Sequence, residues 1–433
     1  MTSPYPLCPI AEIVGDGLIS DGDWIESKDQ DPTGGVRLIQ LADIGDGRYV
    51  NKSSRFLTHE TASRLKCTNL LAGDIIIARM PDPIGRACIF PGDAKEAITV
   101  VDVCILRVSK DKTDARWLMN AINADFTRKA IEKAAGGTTR TRISRGSLEK
   151  LLLPTPPLVE QEKIAAILAT VDNKLDIIAR QIEATQTLKR GLMQTLFSRG
   201  VGTQDGNGRW VPHTEFKDSE LGEIPVGWIA DKLSSRVTKV GSGVTPKGGS
   251  DSYLSDGIPL IRSQNVLVGK LALDDVVFIA REQHEKMYNS ALVPNDVLLN
   301  ITGASIGRSA VLPADFAEGN VNQHVCIIRT KESLIPSFLC QYLNSVLGQK
   351  QVEKFQAGGN REGLNYQQIR SFDLPIPPVA EQQEIADVLG CFDEKIEVLA
   401  SKQTQYQSIK RGLMQKLLTG EWRVKLDIEA IAG

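Results

Sequence analysis

Twelve residues of this chain are written twice. Residues 153–164 read Leu-Pro-Thr-Pro-Pro-Leu-Val-Glu-Gln-Glu-Lys-Ile, and residues 374–385 read Leu-Pro-Ile-Pro-Pro-Val-Ala-Glu-Gln-Gln-Glu-Ile. Both copies run on through a long helical pattern to Lys-Arg-Gly-Leu-Met-Gln, at 189–194 and at 410–415. The offset is 221 at both ends of the match, so the segments between have equal length. A chain that carries one unit twice tends to build a pseudo-twofold molecule, which recognises or recruits things in pairs.

Weaker echoes extend the repeat at an offset of 222. Gly73–Ile77 aligns with Asn295–Leu299, Gly85–Pro91 with Gly307–Pro313, Cys104–Arg107 with Cys326–Arg329, and Ala135–Gly137 with Ala357–Gly359. The organisation read from this is a globular part at 1–153, a long helix at 154–200 and a linker at 201–222. A second globular part follows at 223–374, then a second long helix at 375–420 and a tail at 421–433. The globular parts read as mixed α and β. Short apolar runs such as 74–78, 101–108, 296–301 and 325–329 sit between Gly, Pro and Asn as strands do, while 114–134 and 336–356 have helical spacing.

The long helices carry a seam. Steps of four and three from Ile164 give Leu168, Val171, Leu175, Ile178, Ile182, Thr185, Lys189, Leu192 and Leu196, of which eight of ten are apolar. Adding 221 gives Ile385, Leu389, Phe392, Ile396, Leu399, Gln403, Tyr406, Lys410, Leu413 and Leu417, again eight of ten. An unbroken 3.5-residue period is a coiled-coil seam. About 40 residues at 1.5 Å rise make a rod of roughly 60 Å. One such helix alone could lie on its own domain. Two matching seams are read as packing on each other, antiparallel, with 189–194 near 377–382. Pro156–Pro157 and Pro377–Pro378 open the helices, where a missing N–H is harmless. Glu160 and Glu381 then complement the helix dipole, and Gly200 and Gly420 suit the ends. Gly191 and Gly412, inside the helices, imply either close backbone approach or a break.

Bulk properties exclude several classes. At 433 residues, two or three domains are expected. No apolar stretch approaches the ~20 residues of a membrane span. The opening Met-Thr-Ser-Pro-Tyr-Pro lacks the basic start and apolar run of a signal peptide. The seven cysteines show no CxxC pair, and read as reduced residues of a cytoplasmic protein. Net charge is −2, so any nucleic acid must be met by local patches or with basic partners.

A search for catalytic chemistry finds little. Gly243-Val-Thr-Pro-Lys-Gly lacks P-loop spacing, and the four histidines (59, 213, 284, 324) show no metal-ligand spacing. No motif for holding a flipped adenine or S-adenosylmethionine stands out. Pro81-Asp82 with Asp93-Ala-Lys95 loosely resembles a metal-dependent nuclease pattern. It is not echoed in the second copy, which has Gly303 and Ala304 in place of Pro81 and Asp82. The chain reads as one that recognises rather than catalyses.

Polar residues at matching places of the two copies are the candidates for recognition. Residues 126–150 hold seven basic side chains against two acidic ones. Within them, Thr138, Thr139, Arg140, Arg142 and Arg145 suit phosphate contacts and guanine edges. The matching place in the second copy carries Asn360, Arg361 and Asn365, with amides suited to adenine. Gln40 faces a run with Arg262, Gln264 and Asn265. Arg79 and Arg86 face a run with Asn300, Thr302 and Arg308, and Asn322 and Gln323 form a further cluster. A solvated loop is the competing reading for each. Two sites on one frame with unlike side chains would read two different short sequences.

With these residues in view, the chain resembles the specificity (S) subunits of type I restriction–modification systems over essentially its full length. The resemblance rests on the 153–164 and 374–385 segments, on Lys189-Arg-Gly-Leu-Met-Gln194 and its copy, on Leu418-Thr-Gly-Glu-Trp422, and on Gly222-Glu-Ile-Pro-Val-Gly-Trp228. One departure is that the N-terminus lacks an Ile-Pro-x-Gly-Trp opening, which leaves the start of the first recognition domain open. The resemblance implies an α+β architecture of two mixed α/β target recognition domains, separated by two long helices that form an antiparallel coiled coil. Each domain would read half of a bipartite site in double-stranded DNA, with half-sites about one turn, ~34 Å, apart. The seam, at Ile164, Leu168, Leu175, Ile182, Leu192, Ile385, Leu389, Ile396, Leu399 and Leu413, would set the spacer and support the docking of two methyltransferase subunits. Those partners would bind S-adenosylmethionine and methylate adenine. Motor/nuclease subunits could join, and this chain would hold no cofactor and do no chemistry itself. The alternative is a coiled-coil scaffold that pairs two protein partners without reading DNA.

Overall fold

Four-residue apolar runs become the centres of two equivalent sheets. The computed structural model describes residues 4–137, 141–246, 248–356 and 363–425. The chain divides into two units, Met1–Ala179 with Ser401–Gly433, and Arg180–Ala400. Each long helix is therefore shared, at cut points that are again 221 apart. The helices do not stand apart from the globular parts, because their ends pack into the globular cores.

In the first unit a four-stranded antiparallel sheet runs in the order Leu18–Asp21, Val103–Arg107, Ile75–Ala78, Ala87–Ile89. A three-stranded sheet runs Phe56–Leu57, Val36–Ile39, Ala97–Thr99, its last pair parallel. Alternation along the central strands sends side chains to two cores. Ile75, Ile77, Cys104 and Leu106 pack towards Trp117, Leu118 and Ile131 of the helices. Ile76, Ala78, Val103 and Ile105 pack towards Ile39, Ile44 and Phe90. The sheet is buried on both faces, which explains why its strands read as continuous apolar runs.

The second unit repeats the topology. Its sheets run Val237–Ser242, Val325–Thr330, Val297–Asn300, Ser309–Val311, and Val277–Ile279, Ile258–Ile261, Asn320–Val321. A bidentate ion pair braces each copy: Arg107 to Asp74 at 2.7 Å, and Arg329 to Asp296 at 2.7 Å. The first globular part begins where the second does. Leu7 pairs with Pro154 in the register in which Ile229 pairs with Ile376.

The long helices span Leu158–Arg199 and Val379–Leu418. Every seam position from Ile164 to Leu196 and from Ile385 to Leu417 is buried or half-buried. In the first unit Ile164, Ala165 and Leu168 share a core with Leu417 and Leu418, so the helix start meets the other helix's end. In the second unit Met193, Leu196 and Phe197 share one with Ile385, Ala386 and Leu389. The lysines of the seam are paired. Lys410 Nζ lies 2.6 Å from Asp172 in the first unit, and Lys189 Nζ lies 2.6 Å from Asp393 in the second. These pairs are images of one another under the 221 shift. They correct the expected register. Lys189 faces Asp393 rather than the Pro377 region, because the first helix runs on to Arg199 and Glu381 instead meets Val201, just beyond that end. Gly191 and Gly412 mark neither a break nor a close approach. Both helices run through them, and an added Cβ would meet nothing within 4 Å.

The stretch read as a linker is folded. Thr203–Gln204 pairs with Trp210–Val211, and Phe216–Lys217 with Ile224–Pro225. Glu381 anchors it. Its carboxylate accepts from the Val201 and Gly202 amides at 3.0 and 3.1 Å and from Trp228 Nε1 at 2.8 Å, and meets His213 Nε2 at 2.9 Å. Glu160 is the counterpart. It accepts from Tyr5 Oη at 2.9 Å and from Arg423 Nε at 2.8 Å. Tyr5 thus takes the place of the missing tryptophan. Burial pushes the Glu160 carboxyl up, but the hydrogen bonds from Arg423 and Tyr5 outweigh it and leave it below its ordinary value. No helix among the described residues is long and apolar enough to cross a membrane.

Candidate nucleic-acid interface

Three strand ends and one returning loop meet at the same edge of each four-stranded sheet. In the first unit Asp21 pairs with Cys104 and Ala78 with Val103, so Asp21, Arg79 and Asp102 lie together. The loop that carries the basic run returns here. Gly136 bridges to Arg142, and the Ile143 amide donates to the Arg79 carbonyl at 3.1 Å. In the second unit Ser242 pairs with Cys326 and Asn300 with Val325. Thr302 bridges to Gly363, and the Leu364 amide donates to the Ile301 carbonyl at 2.9 Å. The strand ends and the amide that ties the loop back, Ile143 or Leu364, correspond in the two copies, while the bridges within the loops differ.

The side chains on that frame differ in kind. The first unit holds two guanidiniums and two carboxylates. Arg79 lies 3.1 Å from Asp21, Arg142 lies 3.3 Å from Asp102, and both arginines donate to the Val101 carbonyl. Burial pushes the Arg79 guanidinium below its ordinary range, with Arg142 adding to the effect and Asp21 opposing it. The second unit carries no carboxylate among its counterparts. Thr302 Oγ1 meets His324 Nδ1 at 2.6 Å, Gln323 Nε2 meets His324 Nε2 at 2.9 Å, and Ser242 Oγ meets Tyr366 Oη at 2.5 Å. Asn322 accepts from the His324 amide at 3.0 Å.

Asn365 and Arg145 stand beside these clusters. Asn365 is exposed and caps the helix Tyr366–Arg370, while Arg145 is exposed and pairs with Glu149 at 3.3 Å. Gln40 is half-buried at the start of the turn Leu41–Asp43. Arg262 and Gln264 sit at the matching turn, Ser263–Asn265, and both reach Asp275, whose carbonyl and carboxylate they meet at 3.2 and 2.6 Å. Arg308 is exposed. Thr138, Thr139, Arg140, Asn360 and Arg361 lie outside the described residues.

Burial corrects part of the candidate set. Arg79, Arg86, Asn265, Asn300 and Asn322 are all buried, at 2, 8, 1, 0 and 7% exposure. Most of their polar groups serve internal partners, Arg79 Nε and Asn300 Oδ1 excepted, so they shape the surface rather than project from it. Buried polar groups need partners, and the nearest are backbone atoms of the same fold. Sequence reading missed Asp21, Asp102, Ser242 and Tyr366. The repeat offset of 222 pairs Asp102 with His324 and could have found those two, whereas Asp21 and Ser242 are matched only by their strand pairing with Cys104 and Cys326. Among the described residues, no group of three or more His, Cys, Asp or Glu side chains is placed to hold a metal ion.

Comparison with known proteins places this double frame. The family model of the type I restriction modification DNA specificity domain matches twice, over residues 16–186 and 236–408. The chain belongs to this family. It is 27% identical over 387 residues to the type I restriction enzyme MjaVIII specificity subunit of Methanocaldococcus jannaschii, covering 88% of this chain and 87% of that protein. It is 28% identical over 346 residues to the EcoBI specificity subunit of Escherichia coli, covering 75% and 70%. The fold is similar to the crystal structure of the type I S subunit from M. genitalium, with a TM-score of 0.58 at 16% identity over 96% of this chain and 99% of that one. These likenesses lend no support to a scaffold that pairs proteins without reading DNA.

Proposed function

We propose that this chain is the DNA-specificity subunit of a type I restriction–modification complex, in which each unit reads one half of a bipartite site. The paired helices set the spacer between half-sites and dock two methyltransferase subunits. Those partners bind S-adenosylmethionine and methylate adenine, and motor/nuclease subunits join them for restriction. The chain itself is a recognition subunit, without a catalytic role.

The observation that carries the reading is one sheet edge built twice with unlike side chains. An Arg142–Asp102 pair backed by the buried Arg79, and a Thr–His–Gln–Tyr cluster, offer different donors and acceptors to a base edge. A net charge of −2 fits a chain that shares its phosphate contacts with basic partners. The isolated chain is then expected to bind DNA weakly at physiological salt. A tight, sequence-specific mobility shift by the chain alone would count against this.

The direct test is to express the chain with its methyltransferase subunits and map methylated adenines. Exchange of 223–374 for another recognition domain should replace one half-site and leave the other. Both halves changing together would overturn the one-unit, one-half-site assignment.

A further inference from the structure

The turn after the first strand of each three-stranded sheet leaves two carbonyls pointing inward. In the first unit they belong to Leu41 and Ile44. The buried guanidinium of Arg86 takes both, Nη2 to Leu41 at 2.8 Å and Nε to Ile44 at 2.7 Å, and Nη1 reaches Pro83 at 3.0 Å. In the second unit the carbonyls belong to Ser263 and Val266, the same positions under the 222 shift. They are taken by Asn300 Nδ2, at 2.8 and 3.2 Å.

The shift does not pair the two donors. Arg86 corresponds to Arg308, and Asn300 to Ala78. The task has passed from the residue that precedes one strand to the residue that ends its neighbour. A guanidinium fork and a single amide group satisfy the same two acceptors, and an unsatisfied buried carbonyl is costly in either unit. The exchange has a consequence. Arg86 is 8% exposed and its charge is desolvated, whereas Arg308 is exposed and enters no ion pair or side-chain hydrogen bond with a described residue.

We infer that Arg86 and Asn300 are equivalent positioning residues, each fixing the turn that presents polar side chains to DNA, and that Asn300 thereby frees Arg308 to meet the DNA itself. Gln40 rides on the first turn, and Arg262 and Gln264 on the second. This rests on the reading of each unit as a half-site reader. The positioning part can be measured without DNA.

Two readouts on the full chain test it. Hydrogen exchange of the free chain should show Arg86→Ala losing protection at 40–44, with Ala78→Asn in the same chain restoring it. Methylation mapping of the complex with its methyltransferase subunits should show Arg86→Ala discriminating bases in the first half-site about tenfold less well, the scale of one bidentate base contact, and the second half-site unchanged. The double variant should regain the first half-site. Asn300→Ala should relax the second half-site alone. Arg308→Ala should keep both sequences and lower the salt slope of DNA binding by about one.

Normal protection at 40–44 in Arg86→Ala, or a double variant that is unprotected or insoluble, would overturn the inference. So would Arg308→Ala binding with an unchanged salt slope. A wild-type complex with no bipartite methylated site would instead sink the half-site reading, and the exchange result would still decide the positioning role.

Discussion

The two buried carboxylates at the helix starts occupy equivalent positions and are neutralised differently. Glu381 is met by two backbone amides, an indole and an imidazole, three of them from the stretch between the first long helix and the second globular part. Glu160 is met by a phenol near the N-terminus and a guanidinium near the C-terminus. In the second unit a continuous chain segment wraps the carboxylate. In the first, two distant segments must come together on it. The repeat preserves the need for an anchor and leaves its chemistry free.

The largest test of that contrast is to remove the anchors. Glu381→Ala leaves the Trp228 indole and the Val201 and Gly202 amides without acceptors, and should cost about 3–5 kcal/mol. Glu160→Ala should cost less, about 1–2 kcal/mol, because Arg423 is half exposed and water can replace its partner. Urea unfolding followed by total tryptophan fluorescence and far-UV circular dichroism would rank them. Equal losses would show that the wrapping segment adds nothing.

The pH dependence sharpens the comparison next. Glu160 titrates below its ordinary value in the folded chain, so its contribution is present above the unfolded value of ~4.3 and is lost as pH falls through the folded one. Glu160→Gln should flatten that acid limb. Burial, followed by the Glu160 hydrogen bond, raises Tyr5 to about 12. Its contribution is therefore whole below the unfolded value of ~10 and is lost as pH rises towards the folded one. Tyr5→Phe should flatten the alkaline limb. Stability curves measured across both ranges would show each change, and an unaltered limb would refute the assignment of that group.

The Lys–Asp seam pairs come third. A double-mutant cycle on Lys410 and Asp172, and another on Lys189 and Asp393, should each give a coupling of about 0.5–1 kcal/mol, because both pairs are partly exposed. Unequal couplings would break the equivalence of the two units. The smallest effects should be gains. Gly191→Ala and Gly412→Ala should each stabilise by about 0.5–1 kcal/mol, since the added methyl meets nothing and the helix gains propensity.

Much of this was legible in the sequence. The duplication, the seam from Ile164 to Leu196 and from Ile385 to Leu417, and the strands around Ile75–Ala78 and Val297–Asn300 follow from periodicity and apolar runs. Such signals are local, because each depends only on neighbours a few positions away. The offset also sets the polar loops of the two copies side by side.

Which of those polar residues face solvent was decided only by the tertiary structure. Arg86 and Arg308 are equivalent in sequence, yet one is a buried clamp and the other is exposed, because Ala78 became Asn300 on the neighbouring strand. Helix register, with Lys189 on Asp393, and the carboxylate anchors at Glu160 and Glu381 depend on partners brought together from 155 to 263 positions away. A repeat in sequence fixes what must be satisfied at each place. Only the closed chain determines which side chain arrives to satisfy it, since that choice is a matter of distance and burial in three dimensions.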